Sequence, residues 1–138
     1  MSLYQTVTTS FKAECLQGIH NLLTDTLNIA LYTSGASLDS TTTVYTTDSE
    51  VTGSGYTAGG VTLTNVVIST AGSVAYVSFD NPSWTGAITA RGALVYNASK
   101  ANRAIAILDF GNDKTSLTSF TITLPSNTAT TALIRLSN

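Results

Sequence analysis

Charge is scarce in this sequence. Lys, Arg, Asp and Glu make up 10% of its 138 residues, against about 25% in typical soluble domains. Six basic and eight acidic residues give a net charge of -2, with none of the clustered Lys and Arg that phosphate backbones and anionic lipid select. Nucleic acid and membrane surfaces are therefore not expected partners. Cys15 is the single cysteine, so no intrachain disulfide can form. No run approaches the roughly 18 apolar residues needed to cross a bilayer. The opening MSLYQTVTTSFK lacks the charged start, apolar stretch and cleavage site of a secretion signal. The expectation is a protein made and used without export, or released by lysis.

Histidine is nearly absent too, and that restricts the chemistry. Ser-His-Asp and Cys-His catalysis both need an imidazole to carry the proton, and His20 is the only one. On a helix, Cys15 would lie about 140° around the axis from it. One Cys and one His cannot assemble a zinc site. For calcium, Asp109, Asp113 and the carbonyls of Phe110-Gly-Asn-Asp113 are oxygen donors without the EF-hand pattern, and they read as turn residues. Asp39, Asp48, Glu50, Asp80 and Asp109 offer carboxylates, but no spacing favours a catalytic pair, and they read as solvating charges at loop edges. Gly53-Ser-Gly-Tyr-Thr-Ala58 matches the dinucleotide pattern G-x-G-x-x-G/A in the wrong context, since a polar loop precedes it and β-alternating sequence follows. The expectation is no catalytic residues, no cofactor and no metal.

Thr, Ser and Asn take the place of charge on the surface, with Thr-Thr-Thr at 41 to 43 the densest run, and Thr suits the solvent face of a strand. Hydrophobic residues at 43% and a length near that of one domain imply one core that buries about two-thirds of the unfolded surface. Protein interfaces are depleted in charge at their centres, so part of this surface suits a partner.

Phe11, Cys15, Ile19, Leu22 and Leu23 recur at helical spacing after Thr9 and Ser10, which predicts a helix over 10 to 23, weakened by Gly18. Residues 1 to 9 form an arm with alternating pattern, and 10 to 138 one domain. From Asp25 onward the period is two or the runs are short and β-rich. Strands are expected at 27–33, 61–69, 73–80, 87–97, 103–110, 117–124 and 131–137. Ala71-Gly72, Asn81-Pro82, Ala98-Ser99-Lys100 and Gly111-Asn112 punctuate them. The fold class is mainly β: an antiparallel β-sandwich or jelly roll of about seven to eight strands with one N-terminal helix.

Residues 34 to 60 break the rhythm with a long polar stretch rich in Gly, Ser and Thr. Loops of this length are usually functional, or ordered only on a partner. Tyr45 and Tyr56 within it, with Trp84 and Arg91 on the strands, are the candidate interface residues, because aromatic and Arg side chains are enriched at binding hot spots. Trp84 reads first as a core residue closing one end of a sandwich, and Arg91 equally as an outward strand residue or one half of an inter-subunit pair.

The segments ALYTSGASLDSTTTVYTTDSEVTGSGYTAGGVTLTN at 30 to 65, SFDNPSWTGAITARGALVYN at 78 to 97 and AILDFG at 106 to 111 resemble a group of small structural proteins of tailed bacteriophages. The resemblance covers about residues 26 to 136. It implies a non-enzymatic virion component in many symmetric copies, with a capsid decoration or cement protein as the first choice. The implied partners are the major capsid protein or other virion proteins and further copies of itself, a trimer being favoured. The runner-up is a neck, tail or fibre-associated module touching other tail proteins or host glycan, which an exposed cluster with Tyr56 and Trp84 would favour. A small hydrolase, the third reading, is disfavoured by the missing histidine partners.

Overall fold

The computed structural model describes residues 3 to 53 and 55 to 137; Met1, Ser2, the Ser54 of the glycine motif and Asn138 lie outside the described residues. The chain is mainly β. It forms antiparallel sheets of five, three and two strands with one short N-terminal helix; no closed sandwich or jelly roll is shown.

The five-stranded sheet has the order β1-β8-β7-β2-β3, built from Thr6–Val7, Arg103–Ser116, Ile88–Asn97, Leu27–Tyr32 and Val61–Thr62. Its centre is hydrophobic without a break, and the burial explains why. In β2, Ile29 and Leu31 belong to one core cluster, while Ala30 and Tyr32 belong to another. Ala93 and Val95 against Leu94 and Tyr96 repeat the alternation in β7. Both faces of these strands are buried, which removes the polar alternation that a half-solvated sheet shows. β4 (Val67–Ala71), β5 (Val74–Ser78) and β10 (Ile134–Leu136) form the three-stranded sheet, and the first face shares its core with Val77 of β5 and Ile134 of β10, and with Trp84 and Phe120 of the β6 (Ser83–Thr85) and β9 (Ser119–Thr121) pair.

Among the described residues no sheet covers the second face. Leu3 of the arm and Ala36, Leu38 and Tyr45 of the 34 to 60 stretch lie on it. That stretch therefore acts as a packed layer in the isolated chain. It makes isolated bridges Leu3 to Leu38, Val44 to Arg103 and Glu50 to Tyr32, and the backbone N–H of Tyr45 donates to Asn102 O at 2.9 Å.

Several boundaries differ from the sequence reading, each for a local reason. The helix α1 spans Thr9–Leu16 and not 10 to 23. Thr8 caps it, its Oγ1 accepting from Phe11 N at 3.2 Å. Gly18, at φ +73°, ends it, with Gly18 N donating to Cys15 O and Ile19 N to Glu14 O, the paired bonds of a Schellman motif. The strand expected at 61–69 splits into β3 and β4 around Asn65, whose φ of +52° is held by its amide donating to Asp80 Oδ2 at 2.6 Å. Gly111-Asn112 opens no loop, because β8 runs on to Ser116 and absorbs residues 110 to 113 in a bulge opposite Arg91. The strand expected at 117–124 shrinks to β9, and the one at 131–137 to β10.

Where the long stretch returns to the sheet, Gly60 sits at φ +81° against β2, and a Cβ built there would lie 1.8 Å from Ile29 O. Gly60→Ala combines a left-handed backbone with an overlap against a main-chain atom that cannot rotate away. Stability should fall by about 3 kcal/mol or more, read as a shift of the denaturant midpoint; a loss under about 1 kcal/mol would show that this approach is not tight.

Candidate functional site

The long stretch is held by one carboxylate. Glu50 is 8% exposed, and it accepts from Tyr45 Oη at 2.6 Å, from Gly59 N at 2.7 Å and from Tyr56 Oη. Tyr56 Oη in turn accepts from Leu31 N at 3.0 Å, which links the carboxylate to the backbone of β2. Tyr96 stacks on Tyr45 at 4.6 Å between ring centroids and donates its hydroxyl to Gly59 O at 2.7 Å. Tyr32 donates to Thr46 O at 2.6 Å. Burial, the hydrogen bond to Glu50 and its charge push the Tyr45 and Tyr56 hydroxyls well above the ordinary tyrosine range. Both remain protonated donors at any physiological pH.

These contacts settle where the four candidate interface residues lie. Tyr56 and Trp84 are buried at 8% and 6% exposure and join the main core, with their rings 6.4 Å apart. The Trp84 indole N–H has no hydrogen-bond partner among the described residues. Tyr45 is half-buried in the clamp. Arg91, also half-buried, pairs within its own chain, Nε to Asp109 Oδ1 at 3.1 Å. The Asp109 carboxyl is held below its ordinary value, by the Gly111 N–H first and by Arg91 in addition, against the opposing effect of burial. The clamp joins Tyr45 and Tyr56, and leaves Trp84 and Arg91 elsewhere.

A second polar cluster lies at the β7–β8 hairpin end. The His20 side chain is fully buried, with Nε2 at 2.8 Å from Glu14 Oε1 and Nδ1 at 3.0 Å from Asn97 Nδ2. Asn97, itself 0% exposed, also donates Nδ2 to Asp25 Oδ2 at 2.8 Å and accepts from Ser99 N at its Oδ1. Those two bonds fix the amide, so it donates to His20 Nδ1, and Nε2–H donates to Glu14. Arg103 reaches Glu14 Oε2 at 3.1 Å and Lys100 reaches Asp25 Oδ1 at 2.7 Å. Burial acts to raise the Asp25 carboxyl, but hydrogen bonds from Lys100, Asn97 and the Asn21 backbone, with the Lys100 charge, bring it to about 2.

Chemically, both His20 nitrogens are engaged inside the protein. Burial and the Glu14 carboxylate push the Cys15 thiol up, away from the reactive thiolate. No group of three or more His, Cys, Asp or Glu among the described residues is arranged to hold a metal ion. The described residues after the 53 to 58 motif form β3 and no helix, so no helix N-terminus follows it to face a pyrophosphate. An apolar groove of about 410 Å³ runs between α1 and the three-stranded sheet, lined by Phe11, Leu22, Ile68, Tyr76, Val77 and Ile134.

Sequence reasoning missed Glu50, His20 and Asn97. Glu50 read as one more solvating charge; its signal was two tyrosines flanking a lone carboxylate in a charge-poor stretch. His20 was placed on a helix that Gly18 in fact ends. Comparison of the chain with protein-family models, curated proteins and solved structures finds no match in any of the three.

Glu50→Ala leaves two hydroxyls and an N–H facing a void and should lower stability by about 3 kcal/mol. Tyr45→Phe removes one of the three bonds and should cost about 1–2 kcal/mol; equal effects of the two variants in denaturant titration would contradict the clamp. The lowered Asp25 pKa stabilises the fold above its unfolded value of about 3.9, and that part is lost as pH falls through about 2. Asp25→Asn should therefore flatten the decline in stability between about pH 4 and 2, measured by thermal unfolding across that range.

Proposed function

We propose that this chain is a non-enzymatic structural protein of a bacteriophage virion, most specifically a decoration or cement protein that stabilises the head shell by spanning joints between capsid subunits. Beyond the resemblance, one observation carries the contact reading. Buried Glu50 and His20 and half-buried Glu14 and Asp25 are each bound to groups of their own fold, so their chemistry serves to hold loops in place. What the fold presents outward is a Thr-rich rim, exposed at Thr41, Thr43, Thr47, Asp48 and Ser49 and fixed from beneath by the clamp. A rigid, weakly charged surface loses little conformational entropy on docking.

In this reading the partners are the major capsid protein or other virion proteins, the place is the virion, and the protein works as a homo-oligomer, a trimer first. Many weak contacts repeated by symmetry add to a large total. A β-sandwich, with β10-β5-β4 facing the five-stranded sheet across the Ile29, Leu31, Val77 and Ile134 core, belongs to the same reading. The alternative station, on neck, tail or fibre with host glycan, asks for an exposed aromatic cluster; with Tyr56 and Trp84 buried, Tyr4 at 60% exposure is the ring available to stack on a sugar.

Copy number separates the two stations. Quantitative mass spectrometry of particles carrying this protein should give on the order of hundreds of copies per virion for the shell. A count of about a dozen or fewer would contradict the cement role and favour the tail.

A further inference from the structure

Every open sheet among the described residues has edges, and unpaired edge groups recruit further strands unless something protects them. The N-terminal arm covers the apolar part of β8, pairing Thr6 with Ile107 and Val7 with Ala106, and Thr8 N donates to Ile105 O at 2.9 Å. Farther along, β8 carries Asp113 and Lys114. β3 is two residues long, β6 and β9 are three each, and β10 is three with Arg135 at its centre. β4 has none of these protections. It is an outer strand of its sheet, five residues long, Val-Ile-Ser-Thr-Ala, with Val67 and Ile68 exposed at 49% and 44%.

Its hydrogen-bonding register follows from the hairpin. Ala71 pairs with Val74 around the two-residue turn Gly72-Ser73, and the closing pair of such a hairpin exchanges both of its bonds. Alternation then points Ala71, Ser69 and Val67 at β5, and turns the N–H and C=O of Ile68 and Thr70 outward to the free edge.

We propose that β4 pairs with β4 of a second copy, antiparallel about a two-fold axis at Ser69. Ile68 then faces Thr70 of the second copy in both directions, so the four outward groups of each strand are satisfied reciprocally. Ser69 meets Ser69 as the close non-hydrogen-bonded pair, and Val67 meets Ala71. Charge selects this edge over the others: no charged residue faces another in the β4 pairing, whereas the same operation on β10 would set Arg135 against Arg135. The occupant is a second copy because a two-fold antiparallel pair needs only the strand itself. One strand pair covers far less than the roughly 1,200 Å² of a stable interface, so the dimer is weak in solution and gains strength when copies are held together on a larger assembly. The pairing does not rest on the function proposed above; where copies also group as trimers, it joins one trimer to the next.

Sedimentation velocity on the full chain, from micromolar to about millimolar concentration, tests it. The wild type should show a dimer that grows with concentration. Ser69→Lys and Ser69→Glu each set like charges directly opposite and should weaken it about fivefold, while an equimolar mixture of the two should restore it. Thr70→Pro removes an outward N–H and leaves the bonds to β5, so it should weaken the dimer about tenfold or more with an unchanged circular dichroism spectrum. A wild type that stays monomeric up to about millimolar, or a dimer that none of these variants weakens, overturns the proposal.

Discussion

The Glu50 carboxylate is the constraint on which the rest of the fold depends. A central sheet apolar on both faces must be covered on both, and only one face has other strands to cover it. The second face is closed by a stretch made mostly of Thr, Ser and Gly, which brings little apolar area of its own. Ala36 and Leu38 supply some burial there, Tyr45 stacks on Tyr96, and Val51 and Tyr56 reach round into the main core. The remainder of the attachment is polar, with three donors from Tyr45, Tyr56 and Gly59 converging on Glu50 and Tyr56 passing the linkage to Leu31 N in β2. Charge-assisted bonds of this kind are roughly twice as strong as neutral ones. An unpaired carboxylate at this depth would be costly enough to expel the segment.

The hairpin end uses the same device for a different purpose. There Glu14, His20, Asn97, Asp25 and Lys100 tie the end of α1, the turn after it and the β7–β8 connection into one network. In a chain with 10% charged residues, much of the charge present is devoted to holding loops. This internal use of charge leaves a surface of hydroxyls, the kind of surface that suits repeated weak contact better than electrostatic steering.

How much of this was legible in the sequence depended on what each residue's neighbours in the chain reveal. The central strands stood out, because Leu27 to Tyr32, Ile88 to Asn97 and Arg103 to Leu108 are long apolar runs rich in β-formers. The end of the helix was marked by Gly18, yet the apolar spacing of Ile19 and Leu22 continued past it and disguised the stop. Leu22 is buried from a turn, so burial alone mimicked helical period. The layer formed by 34 to 60 was hidden for a deeper reason. Its anchors Leu38, Glu50 and Tyr56 follow no period; Leu38 is fixed by the arm and Tyr56 by β2, while Glu50 is held by groups of the stretch itself. Composition correctly said that the stretch was polar. It could not say that the Glu50 carboxylate and the Tyr45 and Tyr56 hydroxyls face inward.

The central claim is that residues 34 to 60 are a permanently folded layer of the free protein. Native-state hydrogen exchange tests it most directly, read at Leu31, Tyr45, Val51 and Gly59, whose N–H groups donate to Tyr56 Oη, Asn102 O, Leu31 O and Glu50 Oε2. The account predicts that Gly59 and Tyr45 are protected to within about tenfold of the β7 amides, because the layer opens only with the sheet. Exchange of Gly59 and Tyr45 near the unfolded-chain rate, with β7 still protected, would contradict it.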